Sequence, residues 1–350
     1  MERQALISGV MAAGFIVLGW ALSLDVRAED RPEVFVQFRE TGEIGYVVST
    51  PEGQHVLSGN SELGVTRIDE VEPKMPAEPP PSVDDVPRLT TPKRQSGYAI
   101  VVGIEHYRDL PHAKYARRDA EVMREYLIHA MGFREENVRL LLDEQATHLD
   151  IKCCIEEWLP MSVLNESLIW FFYSGHGVIH PERCEAYLLP YDGDPNPNFL
   201  DISSYSLSHL LEQLVELPVR GVVVVLDASF GGQLRYPPRE RERCTNPFRK
   251  LPSSKRLAVV VAAEYGQNAG LNDNQRHGLL TLHLLDALRG AADMDGDRWV
   301  TLKEVFLYVK EAVRRSALQE NWLQEPHILP ASDRLDDMGT LRLTRLPEAP

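Results

Sequence analysis

Four stretches of almost unbroken apolar residues dominate the chain: Ala99-Ile100-Val101-Val102, Leu168 to Tyr173, Val222 to Leu226 and Leu257 to Ala262. A strand that is apolar on both faces must be covered on both faces. Segments of helical periodicity supply the covers. Tyr115 to Met131 places Ala116, Ala120, Met123, Leu127 and Met131 on one face, and Leu149 to Leu159, Tyr205 to Val215, Leu279 to Leu288 and Glu304 to Ala317 follow the same rule. Val138 to Leu142 is a further strand. Strands and helices in alternation predict a mostly parallel sheet with helices on both faces, a three-layer α/β sandwich.

The sandwich occupies only part of the 350 residues. At the start, Arg3 precedes the uncharged run Ala5 to Leu24, and Val26-Arg27-Ala28 offers a small-residue cleavage site before Glu29. Residues 1–28 therefore read as a signal peptide, or as a single membrane anchor, since about 20 apolar residues span a bilayer. Either way the body is exported, periplasmic or extracellular, and meets a membrane only through this segment if it stays uncleaved. Residues 29–72 carry short alternating patterns around turns such as Pro51-Glu52-Gly53, which predict a small antiparallel β appendage. Residues 73–95 hold seven prolines, from Pro73 to Pro92, among acidic residues and read as an extended linker. Residues 96–345 form the sandwich. The net charge of −15 opposes the phosphate neutralisation that non-specific nucleic-acid binding needs, so no nucleic-acid partner is expected.

Two of the strands run into residues with chemistry. Leu168 to Tyr173 leads to Ser174-Gly175-His176-Gly177, and Val222 to Leu226 leads to Asp227-Ala228-Ser229-Phe230-Gly231-Gly232. In open α/β sheets, sites form beyond the carboxyl ends of strands. His176 is thus placed as a base and Ser229 as a nucleophile.

These two motifs resemble those of bacterial caspase-like peptidases and metacaspases, in which Tyr-Ser-Gly-His-Gly carries the histidine and Asp-Ala-Cys-Phe/His-Ser-Gly the nucleophile. Tyr98 to Tyr107 is similar to the family's first strand, and Leu110 to Leu127, with Ala116 and Asp119-Ala120, to its first helix. The resemblance covers roughly Ser96 to Leu343 and implies a caspase-like fold and a cysteine-type endopeptidase ancestry. It implies His176 as acid–base group, position 229 as nucleophile, and an oxyanion hole formed by the Gly177 and Ser229 N–H groups. Serine at 229 is the departure. A thiol is partly ionised near neutral pH, whereas a hydroxyl depends on a well-oriented base. Serine hydrolases orient that base with a third group, and none announces itself in the sequence. A pseudopeptidase is therefore favoured. The alternatives are an active endopeptidase cleaving after Arg or Lys through a Ser229/His176 dyad, and a structural adaptor that holds basic segments.

By the same resemblance, Asp119, Ser174 and Asp227 line the primary specificity pocket and predict peptide or protein partners bearing Arg or Lys. A basic run, Arg235, Arg239, Arg241, Arg243, Arg249 and Lys250, follows Ser229 in the region where active relatives are cut during maturation, and reads as a solvated loop. Cys184 and Cys244 lie in the loops after the two site strands, and spacing alone does not establish a pair. Cys153 and Cys154 read as small apolar helix residues.

A second constellation is Asp293-Met294-Asp295-Gly296-Asp297-Arg298-Trp299-Val300-Thr301-Leu302-Lys303-Glu304. It follows the spacing of a calcium-binding loop, with Asp293, Asp295, Asp297, Trp299, Thr301 and Glu304 as ligand positions and Arg298 where glycine is usual. Arg298 must then adopt a backbone conformation that side chains disfavour. Calcium is the expected ion, against a loop that merely caps the following helix.

Overall fold

The computed structural model describes the backbone of residues 35–38, 44–50, 53–58 and 66–67, and residues 82–230, 244, 246–330 and 335–348. The export segment Ala5 to Leu24 and the basic residues Arg235, Arg239, Arg241 and Arg243 lie outside these. Among the described residues no helix is long and apolar enough to cross a membrane. The chain divides into two units, 1–80 and 81–350. The first contains four strands, Phe35–Phe38, Ile44–Thr50, Gly53–Ser58 and Thr66–Arg67, in sequential antiparallel order.

In the second unit the strands are β1 (Gly97–Gly103), β2 (Val138–Leu142), β3 (Leu168–His180), β4 (Gly221–Ser229), β5 (Leu257–Val261) and β6 (His327–Leu329), in spatial order β6-β5-β4-β3-β1-β2. All neighbours pair in parallel except β6, which runs antiparallel to β5. The helices are α1 (Ala116–Glu125), α2 (His148–Cys153), α3 (Leu207–Glu216), α4 (Leu279–Asp286) and α5 (Leu302–Gln319). Wider helical turns extend α1 to Ala130 and, followed by one more α-helical turn, α2 to Ser162.

The period of two along the strands sorts the core into two layers. Val101, Trp170, Phe172, Val223, Val225 and Val260 pack with Met123, Leu285, Val305 and Phe306 of α1, α4 and α5. Ile100, Phe171, Tyr173, Val222, Val224 and Val259 pack with Ile151, Leu210 and Leu214 of α2 and α3. The three-layer sandwich is present, with a mixed and mostly parallel central sheet.

Three features differ from the sequence reading. Both site strands are longer than their apolar runs. β3 continues to His180 because Ser174 to His176 stay in register with Asp227 to Ser229, and Gly177 to His180 then pair with the antiparallel strand Glu185–Leu188. Ladder hydrogen bonds need only backbone, so polar and glycine residues prolong a strand that hydropathy ends. Part of the segment read as a linker is packed onto the sandwich. Val83 is buried, Val86 and Leu89 lie against the core, Tyr126 Oη donates to Val83 O at 2.8 Å, and Thr90 N–H donates to Arg345 O at 3.0 Å. Lastly, Cys184 and Cys244 form a disulfide, with Cα atoms 5.2 Å apart, whereas Cys153 and Cys154 are free.

Candidate active site

Parallel pairing of β3 and β4 makes Ser229 the register partner of His176, and Asp227 that of Ser174. Adjacent strands lie roughly 4.8 Å apart and partners project to the same face, so one pair of strand ends brings together Ser229, His176, Ser174 and Asp227. The alternation explains the grouping.

The histidine is held from its backbone outward. Its N–H donates to Tyr107 Oη at 2.7 Å, and Tyr173 Oη lies 2.7 Å from its carbonyl oxygen. The Tyr107 ring stacks on the imidazole with centroids 4.7 Å apart. His176 Nε2 is 2.8 Å from Pro111 O. A carbonyl only accepts, so Nε2 carries the proton and Nδ1 keeps the lone pair of the neutral ring. Burial lowers the His176 pKa below the ordinary imidazole value, against the opposing pull of Pro111 O. Ser229 Oγ accepts from Ala269 N–H at 2.7 Å. Among the described residues, the hydrogen bonds of the two side chains are thus made to backbone groups and not to each other. The group orienting His176 is a neutral carbonyl.

The loop bearing Tyr107 and Pro111 has its own anchor, Asp143, which the sequence reading did not identify. This buried carboxylate accepts from Glu105 N–H and His106 N–H at 2.8 and 2.9 Å and from Arg117 Nη1 at 2.9 Å. Those bonds outweigh its desolvation and hold its pKa below the usual carboxylate value. The sequence signal, an aspartate ending a strand, is too common to single it out.

Gly177, the oxyanion-hole glycine of the sequence reading, sits under the Phe230 ring. A Cβ there would lie 2.7 Å from Phe230 Cε1, so the residue after the histidine must be glycine for the residue after Ser229 to be aromatic.

Asp119, Ser174 and Asp227 come together, all buried. Ser174 Oγ donates to Asp119 Oδ2 at 3.0 Å. Asp227 Oδ2 accepts from Thr281 N–H at 3.0 Å and Thr281 Oγ1 at 2.6 Å. Gly278 separates the two carboxylates, donating its N–H toward Asp119, and any Cβ on it would lie 2.2 Å from Asp227 Oδ2. Burial first, and then the Asp119 charge, push the Asp227 pKa up to about 7. Sequence reasoning missed a fourth member. His277, fully buried, places Nδ1 2.7 Å from Asp119 Oδ1 and Nε2 3.1 Å from Asp84 Oδ1, and Asp84 also pairs with Arg118. It lies 101 residues beyond His176 in the short strand His277–Gly278, outside every recognisable motif.

In the acidic loop, oxygens of Asp293, Asp295 and Asp297 lie within 4.8 Å of one another. Asp293 accepts from Gly296 and Arg298 N–H groups, and Asp297 from Trp299 N–H. Arg298 has φ 68°, the left-handed conformation expected at this position. Glu304 caps α5 by accepting from Thr301 N–H and Oγ1 at 2.8 and 2.7 Å, and also accepts from Met294 N–H at 3.1 Å. Trp299–Thr301 pairs with Arg342–Arg345.

A family model of the caspase domain matches residues 96–332. No curated protein matches the chain. Among solved structures, caspase-1 from Spodoptera frugiperda is similar, at 15% identity over 76% of this chain and 96% of that one, with a TM-score of 0.46.

Proposed function

From the premise that the chain belongs to the caspase-domain family, we propose that it is an exported pseudopeptidase, a caspase-fold protein whose groove takes segments bearing Arg or Lys. The observation that carries the reading is the setting of His176. Its Nε2–H is oriented by the Pro111 carbonyl, with burial lowering its pKa. Among the described residues no charged group is placed to stabilise the imidazolium that proton removal from a hydroxyl creates, and Ser229 Oγ is engaged by Ala269 N–H. That arrangement suffices for a thiol, which reacts as a thiolate, and is inadequate for serine.

The remaining parts are those a cysteine would use. A thiol at position 229 gives its proton to the Nδ1 lone pair of His176, the thiolate attacks the peptide carbonyl carbon while the oxyanion turns toward the N–H groups of residues 177 and 229, and the C–N bond breaks as His176 delivers that proton to the departing amine. Water then releases the acyl group by the reverse use of the same base. Asp119, Ser174 and Asp227, gathered beside Ser229, support a preference for cationic side chains.

The export reading is supported by the Cys184–Cys244 disulfide, since such bonds persist in oxidising compartments. Calcium in the loop Asp293 to Glu304 is supported by the convergence of Asp293, Asp295 and Asp297 and by the left-handed Arg298. Trp299, Thr301 and Glu304 complete the ligand positions, and bidentate ligation by Glu304 would require it to exchange its bonds to Thr301 and Met294 for the ion.

The test is cleavage of peptides with Arg or Lys before the scissile bond. Wild type should stay near background, Ser229→Cys should cleave, and adding His176→Ala should remove about 10²- to 10⁴-fold of that activity. Robust wild-type cleavage abolished by Ser229→Ala would show that serine works as the nucleophile and end the pseudopeptidase reading.

A further inference from the structure

We propose that His277 is the resident cation of the acidic pocket and its specificity-determining residue, neutralising Asp119 so that Asp227 is the acid an incoming guanidinium or ammonium meets. This deepens, and rests on, the reading of the groove as one for basic side chains.

Both ring nitrogens of His277 face carboxylate oxygens, Nδ1 at 2.7 Å from Asp119 and Nε2 at 3.1 Å from Asp84. With both carboxylates ionised, neither has a proton to give, so both nitrogens donate and the ring is an imidazolium. Burial draws the Asp119 pKa upward against the bonds from His277, Ser174 and Gly278, and the one proton held between Asp119 and His277 leaves that pair without net charge. Burial works against that charge, and the two carboxylates outweigh it, raising the pKa above the ordinary histidine value. A cation with no solvent exposure is retained only where it is paired on all sides.

Charges face the ring from several elements. Asp119 comes from α1, where it is also bonded by Ser174 of β3 and by Gly278 N–H. Asp84 comes from the packed segment that precedes β1 and is itself paired with Arg118. Asp227 of β4 acts through space and is bonded to Thr281 of α4. At pH 8, above the Asp227 pKa of about 7, three carboxylates thus meet two cations, buried His277 and partly exposed Arg118, and one negative charge remains. Asp119 and Asp84 are both engaged by His277, with Arg118 on Asp84, whereas the bonds made to Asp227 come from the uncharged Thr281. The unmatched charge therefore falls on Asp227. Asp84 lies before residue 96, where the match to the caspase domain begins, so a residue outside that domain helps to set the charge of its pocket.

The experiment uses benzamidine, an arginine side-chain mimic, and its neutral analogue benzamide, binding to the full chain at pH 8. Wild type should bind benzamidine weakly. His277→Gln retains a donor toward Asp119 but removes the charge, and should bind benzamidine at least about tenfold more tightly, with benzamide unchanged. Asp84→Asn should give a smaller gain of about threefold and should lower the pKa of His277 seen by histidine NMR. It carries the test if His277→Gln does not fold. Equal benzamidine affinity in wild type and both variants, or a neutral His277 in wild type at pH 7, overturns this proposal and leaves the basic groove standing. No benzamidine binding to any variant overturns both.

Discussion

At the scale of single residues, the site is a set of groups whose partners decide what they can do. His176 backed by a carbonyl is suited to a thiol, so the pH dependence of Ser229→Cys cleavage is informative. With the imidazole pKa depressed by burial, the acid limb of the profile should fall below the ordinary histidine range. A limb at or above that range would mean that another group titrates. Asp227 makes a stability prediction. Its folded pKa of about 7 exceeds the unfolded value of about 3.9. The folded state therefore keeps a proton that the unfolded chain releases, and the resulting stability is present below about pH 4 and lost as pH rises through about 7. Asp227→Asn, which stays neutral, should melt higher than wild type at pH 8 and nearly with it at pH 4. A variant less stable at both would show that the carboxylate is needed ionised. His176, Ser229 and Asp227 were legible in the sequence because each stands in a motif with its neighbours. His277 and Asp143 were not, because their roles arise from contacts across 158 and 38 residues that no local pattern records.

Elements place these residues, and here the sequence was readable in kind and less so in extent. The apolar runs located the four central strands and the helical periods their covers. Hydropathy ended β3 at Tyr173, while the ladder carries it to His180, because backbone pairing with Asp227 to Ser229 and with Glu185 to Leu188 is blind to side-chain polarity. The antiparallel strand β6, only three residues long, offered no periodicity to count. The loop from Glu105 to Tyr115 depends on Asp143, so Asp143→Ala should strand two backbone donors and an arginine. A loss of about 3 kcal/mol is expected in denaturant unfolding. The same change in the Ser229→Cys background should reduce cleavage by freeing Tyr107 and Pro111 from their places around His176. Unchanged stability would show that water replaces the carboxylate. The loop leading into α5 makes a separate prediction. Millimolar calcium should raise the melting temperature through binding to the folded state alone, and Asp295→Asn should abolish the shift. The absence of any shift in wild type would leave Glu304 as a helix cap only.

On the scale of the whole molecule, the sandwich is joined to what precedes it by more than a tether. Val83, Asp84 and Thr90 are part of its packing, and a chain started at residue 96 should be less stable than one started at residue 82. The disulfide ties another distance. Closing a loop of 60 residues contributes about 4 kcal/mol by restricting the unfolded chain, so reduction should lower stability by that order, measured in denaturant. Its position along the chain has a different kind of consequence. Cys184 precedes Ser229, and Cys244 follows Arg235, Arg239, Arg241 and Arg243, so any peptide bond broken between Arg235 and Cys244 has one bridged cysteine on each side. A single cut there by a protease specific for arginine would leave two polypeptides that migrate as one species on a non-reducing gel and separate only when thiol is added. The fragment holding the histidine and residue 229 would remain covalently joined to the fragment that supplies His277, and nicking would not dissociate the halves by dilution.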